Sequence, residues 1–168
     1  MEDALTYNKY KQIEKVTLRK FVAFYINNQK FAIEIDNVLE VLETIDITHI
    51  IHTPAYIEGV INLRGNIIAV INLREFFKLP VRENKQIQNV SEKIIIVKEE
   101  GKTAGLLVDE IDEIIECENV SFDSLPVTVT GKLSEYLQGI VNYRKEPIGI
   151  INLKNLILSE EIKRFDYE

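Results

Sequence analysis

A chain of 168 residues, 46% hydrophobic and 28% charged, is long enough to bury its own core, which excludes a disordered polypeptide. The formal net charge of −7 argues against a partner such as nucleic acid or an anionic membrane, because those surfaces require basic residues. No apolar run reaches the roughly eighteen residues that span a bilayer, the start at Met1 lacks a signal-peptide pattern, and the lone Cys117 fits a reducing compartment. A cytoplasmic protein without direct membrane insertion is expected.

Two short apolar runs open the folded part of the chain after a polar tail over residues 1–17. Residues 21–26 and 29–33 are predicted to be strands. They are separated by Asn27 and Asn28, and Asn tolerates the positive φ that a tight turn needs. The first predicted element is therefore a β-hairpin.

A short helix is predicted next, over residues 37–42. Val38, Val41 and Leu42 recur at helical spacing, and Asp36 stands where a helix cap is expected. A further strand is predicted from Ile45 to Ile51, before Pro54 restricts the backbone.

The strongest local pattern lies at residues 59–74, where two Val- and Ile-rich runs meet at a tight break. Gly65 and Asn66 are the predicted turn residues, and Arg64 is the only charge at the break. Runs that are apolar on both sides of the pleat predict burial on both faces of the sheet. Asn72 is expected to cap a short helix after this hairpin.

The second half of the chain repeats the first. After a polar connection over residues 80–92, a second hairpin is predicted over 94–108, and a second acidic segment follows it. Residues 57–77 align without gaps on 137–157, with Asn152 as the second helix cap. The shared residues are Gly59/Gly139, Asn62/Asn142, Arg64/Arg144, Ile68/Ile148, Ile71/Ile151, Asn72/Asn152 and Leu73/Leu153.

The repeat suggests two related β subdomains of about five strands each. We expect one domain over residues 18–158, with halves of about 18–80 and 91–158, and exchange of strands between the halves is left open. Residues 159–168 form a charged C-terminal end.

The residues from Thr53 to Arg74, with Pro54, Gly59, Asn62 and the Arg64-Gly65 pair, closely resemble the CheW-like family of chemotaxis coupling proteins. The resemblance extends from about Lys20 to Leu158. It implies a mainly β fold of two SH3-like five-stranded β-barrels packed together, with short helices and a C-terminal helix.

The same resemblance implies a function without catalysis or cofactor. Members of the family bridge the cytoplasmic hairpin tips of methyl-accepting chemoreceptors to the regulatory domain of a CheA-type histidine kinase. The protein is therefore expected at membrane-associated receptor arrays, held there by its partners. The resemblance assigns no residues to the kinase-binding surface.

Arg64 and Glu40 are the first candidate site residues, because they match the family's signature arginine and its acidic partner. Our hypothesis is that they form an ion pair that shapes the receptor-facing surface. The alternative is that Arg64 is an exposed charge at the end of a hairpin. Since Lys145 replaces Gly65 in the second copy, we expect a different turn there, and Arg144 need not share the role of Arg64.

Val38 and Val41 are candidates for the groove that accepts the receptor tip, with burial in the core as the equal alternative. His49 and His52 lack a third ligand and do not predict a metal site. The acidic segment 109–118 lacks the pattern of a calcium loop. Cys117 has no neighbour that would activate it, and no catalytic motif is present.

Three other functions stay open from the sequence. The chain could serve a chemosensory array with another output, such as pili or a second messenger. It could be the regulatory domain of a kinase, although no ATP-binding sequence precedes it. A double SH3-like barrel could also bind nucleic acid or a small ligand, and the negative charge opposes the first of these.

Overall fold

A computed structural model of the protein describes residues 16–43, 46–80, 91–118, 122 and 124–165. Most of the predicted polar tail and of the polar connection lies outside these ranges, as do the last three residues. Within the described ranges, ten strands form two five-stranded sheets accompanied by short helices, which confirms the predicted mainly β fold.

The strands follow one another as short segments along the chain. They are β1 (Leu18–Ile26), β2 (Gln29–Glu34), β3 (Val38–Leu42), β4 (Ile57–Leu63), β5 (Asn66–Asn72), β6 (Lys93–Glu99), β7 (Lys102–Val108), β8 (Glu110–Glu118), β9 (Leu137–Tyr143) and β10 (Glu146–Ile151). Sheet A has the order β8-β1-β2-β10-β9, and sheet B has the order β3-β6-β7-β5-β4. In the described part of the chain neither ladder closes, so the predicted barrels are open sheets.

The sheets divide the chain differently from the predicted halves 18–80 and 91–158. Sheet B takes its strands from one continuous stretch, β3 to β7, whereas sheet A combines β1 and β2 with β8, β9 and β10. A single 3-10 turn at Ile35–Asn37 redirects the chain after β2, and β3 then pairs with β6. Each half therefore contributes strands to both sheets.

The described residues form three clusters of buried apolar side chains. The central core lies between the sheets and contains residues of both, among them Phe24 and Ile33 from sheet A and Ile71 and Ile95 from sheet B. The other face of each sheet has a smaller core of its own, built around Phe21 in sheet A and Ile96 in sheet B. This arrangement explains why the strands are apolar at consecutive positions.

In the structure, equivalent residues of the two repeats have equivalent partners on the neighbouring strands. Val22 lies opposite Ile114 in sheet A, and Ile95 lies opposite Val41 in sheet B. Both of these ladders are interrupted at the same place by a β-bulge. The parallel pairs also correspond: Ile150 with Ala32 in sheet A, and Val70 with Gly105 in sheet B.

In the part of the chain that the structure describes, four short helices cover the central core: α1 (Leu73–Phe76), α2 (Lys132–Tyr136), α3 (Leu153–Ile157) and α4 (Glu160–Lys163). The caps predicted at Asn72 and Asn152 are confirmed, whereas Asp36 lies within the 3-10 turn and caps no helix. The side-chain oxygen of Asn72 accepts a hydrogen bond from the backbone N–H of Glu75 at 3.3 Å, and that of Asn152 accepts one from Asn155 at 3.0 Å. Both helices thus begin at the equivalent asparagine of each repeat.

Two predicted elements between the first two hairpins are wrong. Residues 38–42 form strand β3 rather than a helix, because a β-bulge near Leu39 shifts the alternation of the strand and gives its apolar residues a helix-like spacing. In the predicted strand 45–51, the described residues 46–51 contribute one isolated bridge, between Thr48 and Val60. The close approach at this bridge depends on Gly59, where a Cβ would lie 2.3 Å from the carbonyl oxygen of Thr48.

Candidate protein-docking surface

Arg64 is presented by the tight turn between β4 and β5. Leu63 lies opposite Asn66, so the turn residues are Arg64 and Gly65, one residue earlier than predicted. Their φ angles of 51° and 87° are both positive, as a type I′ turn requires. The side-chain oxygen of Asn62 accepts a hydrogen bond from the backbone N–H of Gly65 at 2.9 Å and helps to hold the turn.

Arg64 donates two hydrogen bonds to Glu40 on β3. The distances are 2.7 Å from Nη1 to Oε1 and 3.2 Å from Nη2 to Oε2, a bidentate geometry. The hydrogen bond to Glu40 and the negative charge of that residue raise the pKa of Arg64 above its usual value. Because the Arg64 side chain is 75% exposed and that of Glu40 is 26% exposed, the pair orients two surface groups more than it stabilises the fold.

The pair stands at the rim of a groove of about 510 Å³ on sheet B. Ile68 and Ile96, which belong to the smaller core of this sheet, form an apolar floor. We call it the Arg64 groove, and it is lined by Leu39, Glu40, Leu63, Arg64, Asn66, Ile68, Ile96, Lys98 and Thr103. A concave surface with an apolar floor and polar groups at its rim suits the side chain of a protein partner.

Val38 and Val41 have different surroundings on β3. Val38 packs against the central core, whereas the side chain of Val41 is exposed, as is that of Leu39. The sequence had placed both valines on one helical face. Val38 lies opposite Val97 and Val41 opposite Ile95, both residues of the central core, so the two valines share one face of β3 and Val41 is the more exposed.

The turn of the second repeat has the same geometry as the first, so the expectation that Lys145 changes it is wrong. Arg144 and Lys145 have φ angles of 49° and 66°, again a type I′ pair. Lys145 accepts the left-handed conformation that Gly65 takes in the first copy. Arg144 approaches Glu113 at 3.6 Å, so an arginine–glutamate pair recurs in the second repeat.

Sheet A carries an ionic cluster around a buried lysine at the place that corresponds to the Arg64 groove. Lys30 Nζ lies 2.6 Å from Asp112 Oδ2, 3.3 Å from Glu146 Oε2 and 3.5 Å from Glu113 Oε1. These four residues form the Lys30 cluster, in which the lysine side chain is 4% exposed. Burial alone would lower the pKa of Lys30, but its hydrogen bonds to Asp112 and Glu146 raise it above the usual value.

Sequence analysis did not single out Lys30, although a signal was present. It lies in an apolar strand and alternates with Ala32, so it must face the same small core. A lysine on that face of a strand needs carboxylates nearby, because a buried charge without a partner is costly.

The other residues considered in the sequence are His49, His52 and Cys117. His49 Nδ1 lies 2.7 Å from the carbonyl oxygen of Glu58. Among the residues that the structure describes, no group of three or more His, Cys, Asp or Glu side chains is placed to hold a metal ion. Burial raises the pKa of the Cys117 thiol. No helix in the described ranges is both long enough and apolar enough to cross a membrane.

Comparison with known proteins shows the family of the chain. The family model of the CheW-like domain matches residues 20–161. The chemotaxis protein CheW of Helicobacter pylori is 32% identical over 120 residues, which cover 71% of this chain and 70% of that protein. CheW of Bacillus subtilis is 29% identical over 145 residues, covering 86% and 90% of the two chains.

A solved structure agrees with the sequence comparisons. The crystal structure of the scaffolding protein TtCheW from Thermoanaerobacter tengcongensis has a TM-score of 0.73 and 34% identity, and the match covers 89% of this chain and 94% of that one. The expected family is confirmed by the domain match, the relatives and this fold. The chain belongs to the CheW-like family of chemotaxis coupling proteins, which are non-catalytic adaptors.

Proposed function

We propose that this adaptor couples the cytoplasmic hairpin tips of methyl-accepting chemoreceptors to the regulatory domain of a CheA-type histidine kinase. The observation that carries the proposal is the bidentate Glu40–Arg64 pair at the rim of an apolar groove, in a chain of the CheW-like family. The pair fixes two charged groups beside the groove, where they orient an incoming helix.

The mechanism is positional. The receptor tip occupies the Arg64 groove and reaches the exposed side chain of Val41 around the edge strand β3, while the kinase domain binds a separate surface. A change in receptor packing then biases the kinase by altering how the bound adaptor is held. The adaptor acts in the cytoplasm, at receptor arrays to which its partners bring it.

The proposal is tested by pull-down and calorimetry with a purified receptor cytoplasmic fragment and the kinase. The parent protein is expected to form a ternary complex. Arg64→Ala is expected to weaken receptor binding by about tenfold or more, because Glu40 loses its orienting partner. A double exchange, Glu40→Arg with Arg64→Glu, restores the pair and is expected to regain part of the affinity.

A matched pair of variants checks the position of the receptor site. Val41→Asp is expected to weaken receptor binding, whereas Ile114→Asp is not. Val41 and Ile114 are equivalent and both exposed, at 42% and 55%, so the two substitutions place the same charge on the two sheets. Failure of the parent protein to bind both partners would overturn the proposal, and equal effects of the two substitutions would overturn the assigned site.

A further inference from the structure

We infer that Lys30 determines which of the two equivalent sites accepts the receptor: it fills the site in sheet A, and the site in sheet B stays open for an apolar side chain. This inference rests on the proposed function and adds the residue that makes the two repeats differ. It also adds the chemical class of the side chain that enters the groove.

The pairing of the strands shows that Lys30 and Thr103 are equivalent. Lys30 lies opposite Tyr25 in the β1–β2 hairpin, and Thr103 lies opposite Lys98 in the β6–β7 hairpin. The two hairpins also have equivalent parallel partners in β10 and β5. Both side chains therefore project from the same place on the small-core face of their sheets.

The residues around Lys30 and Thr103 can be compared position by position through the repeat. The repeat matches Glu113 with Glu40, Asp112 with Leu39, and Glu146 with Asn66. In sheet A the lysine side chain is buried at this place and its ammonium group reaches three carboxylates. In sheet B the shorter Thr103 leaves the space as the Arg64 groove, which Leu39 and Asn66 also line.

The lysine of sheet A indicates the shape of the side chain that the groove accepts. Its four-carbon stem fills the equivalent space, so an unbranched or γ-branched aliphatic chain has a suitable length. A cation would lack the carboxylates of Asp112 and Glu146, and the remaining Glu40 is already bonded to Arg64. The groove therefore suits an uncharged aliphatic side chain, such as Leu or Met, from the receptor hairpin.

The first test fills the groove in the intact protein. Calorimetric titration with the receptor cytoplasmic fragment is carried out for the parent, Thr103→Lys and Thr103→Val. Thr103→Lys is expected to weaken receptor binding by about tenfold or more, because a lysine stem then occupies the apolar floor. Thr103→Val leaves the space open and is expected to stay within about twofold of the parent.

The second test opens the other site. Lys30→Thr gives sheet A the residue found in sheet B and is expected to add a weaker second binding event per chain. Lys30→Met keeps the stem in place and is expected to add none. Thermal unfolding of both variants shows whether each is folded. If Lys30→Thr does not fold, the Thr103 variants alone test the inference.

The outcomes separate the two proposals. If Thr103→Lys binds the receptor fragment as tightly as the parent, or if only its kinase binding falls, the inference is wrong while the proposed function stands. If folded Lys30→Thr shows no second event, the role of Lys30 is wrong. If the parent binds neither partner, the proposed function fails and the inference fails with it.

Discussion

Lys30 in sheet A and Arg64 in sheet B pair with equivalent glutamates, Glu113 and Glu40, but their surroundings differ. The lysine side chain is 4% exposed and bonded to three carboxylates, whereas the arginine is 75% exposed and bonded to one. The same strand pairing therefore supports a packed ionic cluster in one repeat and an accessible groove in the other. The two repeats thus keep the same backbone register while the side chains on it differ.

The largest difference in stability between the repeats is expected where α1 and α3 begin. Arg74 pairs with Asp109, and the two side chains are 23% and 7% exposed. Lys154, its equivalent in the repeat, pairs with Glu100 at 60% and 51% exposure. Arg74→Met is expected to lower the free energy of unfolding by about 3 kcal/mol, because it removes the guanidinium beside a buried carboxylate.

Urea denaturation measures this effect, with Lys154→Met as the control. The control is expected to show no measurable change, since both of its charges are in water. Equal losses of unfolding free energy in Arg74→Met and Lys154→Met would show that burial does not make the first ion pair more stabilising than the second.

An intermediate effect is expected at the Lys30 cluster. Lys30→Met is expected to lower the free energy of unfolding by about 2 kcal/mol, less than for a fully buried pair because the three carboxylates are 32% to 47% exposed. Lys98→Met, at an exposed side chain that lines the Arg64 groove, is expected to change the free energy of unfolding by less than about 0.5 kcal/mol. A loss for Lys98→Met as large as that for Lys30→Met would remove the contrast between the two sheets.

The smallest effect is expected in the tight turns, where the repeats are most alike. Gly65→Lys is expected to cost about 1 kcal/mol in unfolding free energy, because a side chain at positive φ is disfavoured but meets no atom within 4 Å. Lys145→Gly reverses the exchange and is expected to be neutral or slightly stabilising. Thermal and urea unfolding of both variants test this, and a loss of about 3 kcal/mol or more for Gly65→Lys would contradict equal turn geometry.

Local patterns in the sequence predict the hairpins and the helix caps. The hairpins follow from the apolar runs on either side of Asn27 and Arg64. The helix caps follow from Asn72 and Asn152. Local patterns do not show which strands share a sheet, because the pairing of β3 with β6 depends on contacts between residues far apart in the chain. The β-bulge in β3 similarly made a strand look like a helix.

The candidate site was only partly accessible from the sequence. Glu40 and Arg64 were found through the family resemblance, since neither spacing nor charge would connect β3 to the β4–β5 turn. Val41 differs from Val38 in its exposure, which depends on the packing of β3 at the edge of sheet B and cannot be read from the sequence. Lys30 has no motif around it, and its importance follows from three carboxylates that approach it from β8 and β10.

The exchange of strands between the sheets has a consequence for the order of folding during synthesis. Sheet B is complete once Val108 has emerged from the ribosome, whereas β1 and β2 must await β8, β9 and β10, which end at Ile151. Contacts between such distant segments form slowly. The nascent first hairpin therefore leaves Phe21 without its small core until the last strands arrive, because the apolar partners of Phe21 come from β8, β9 and β10.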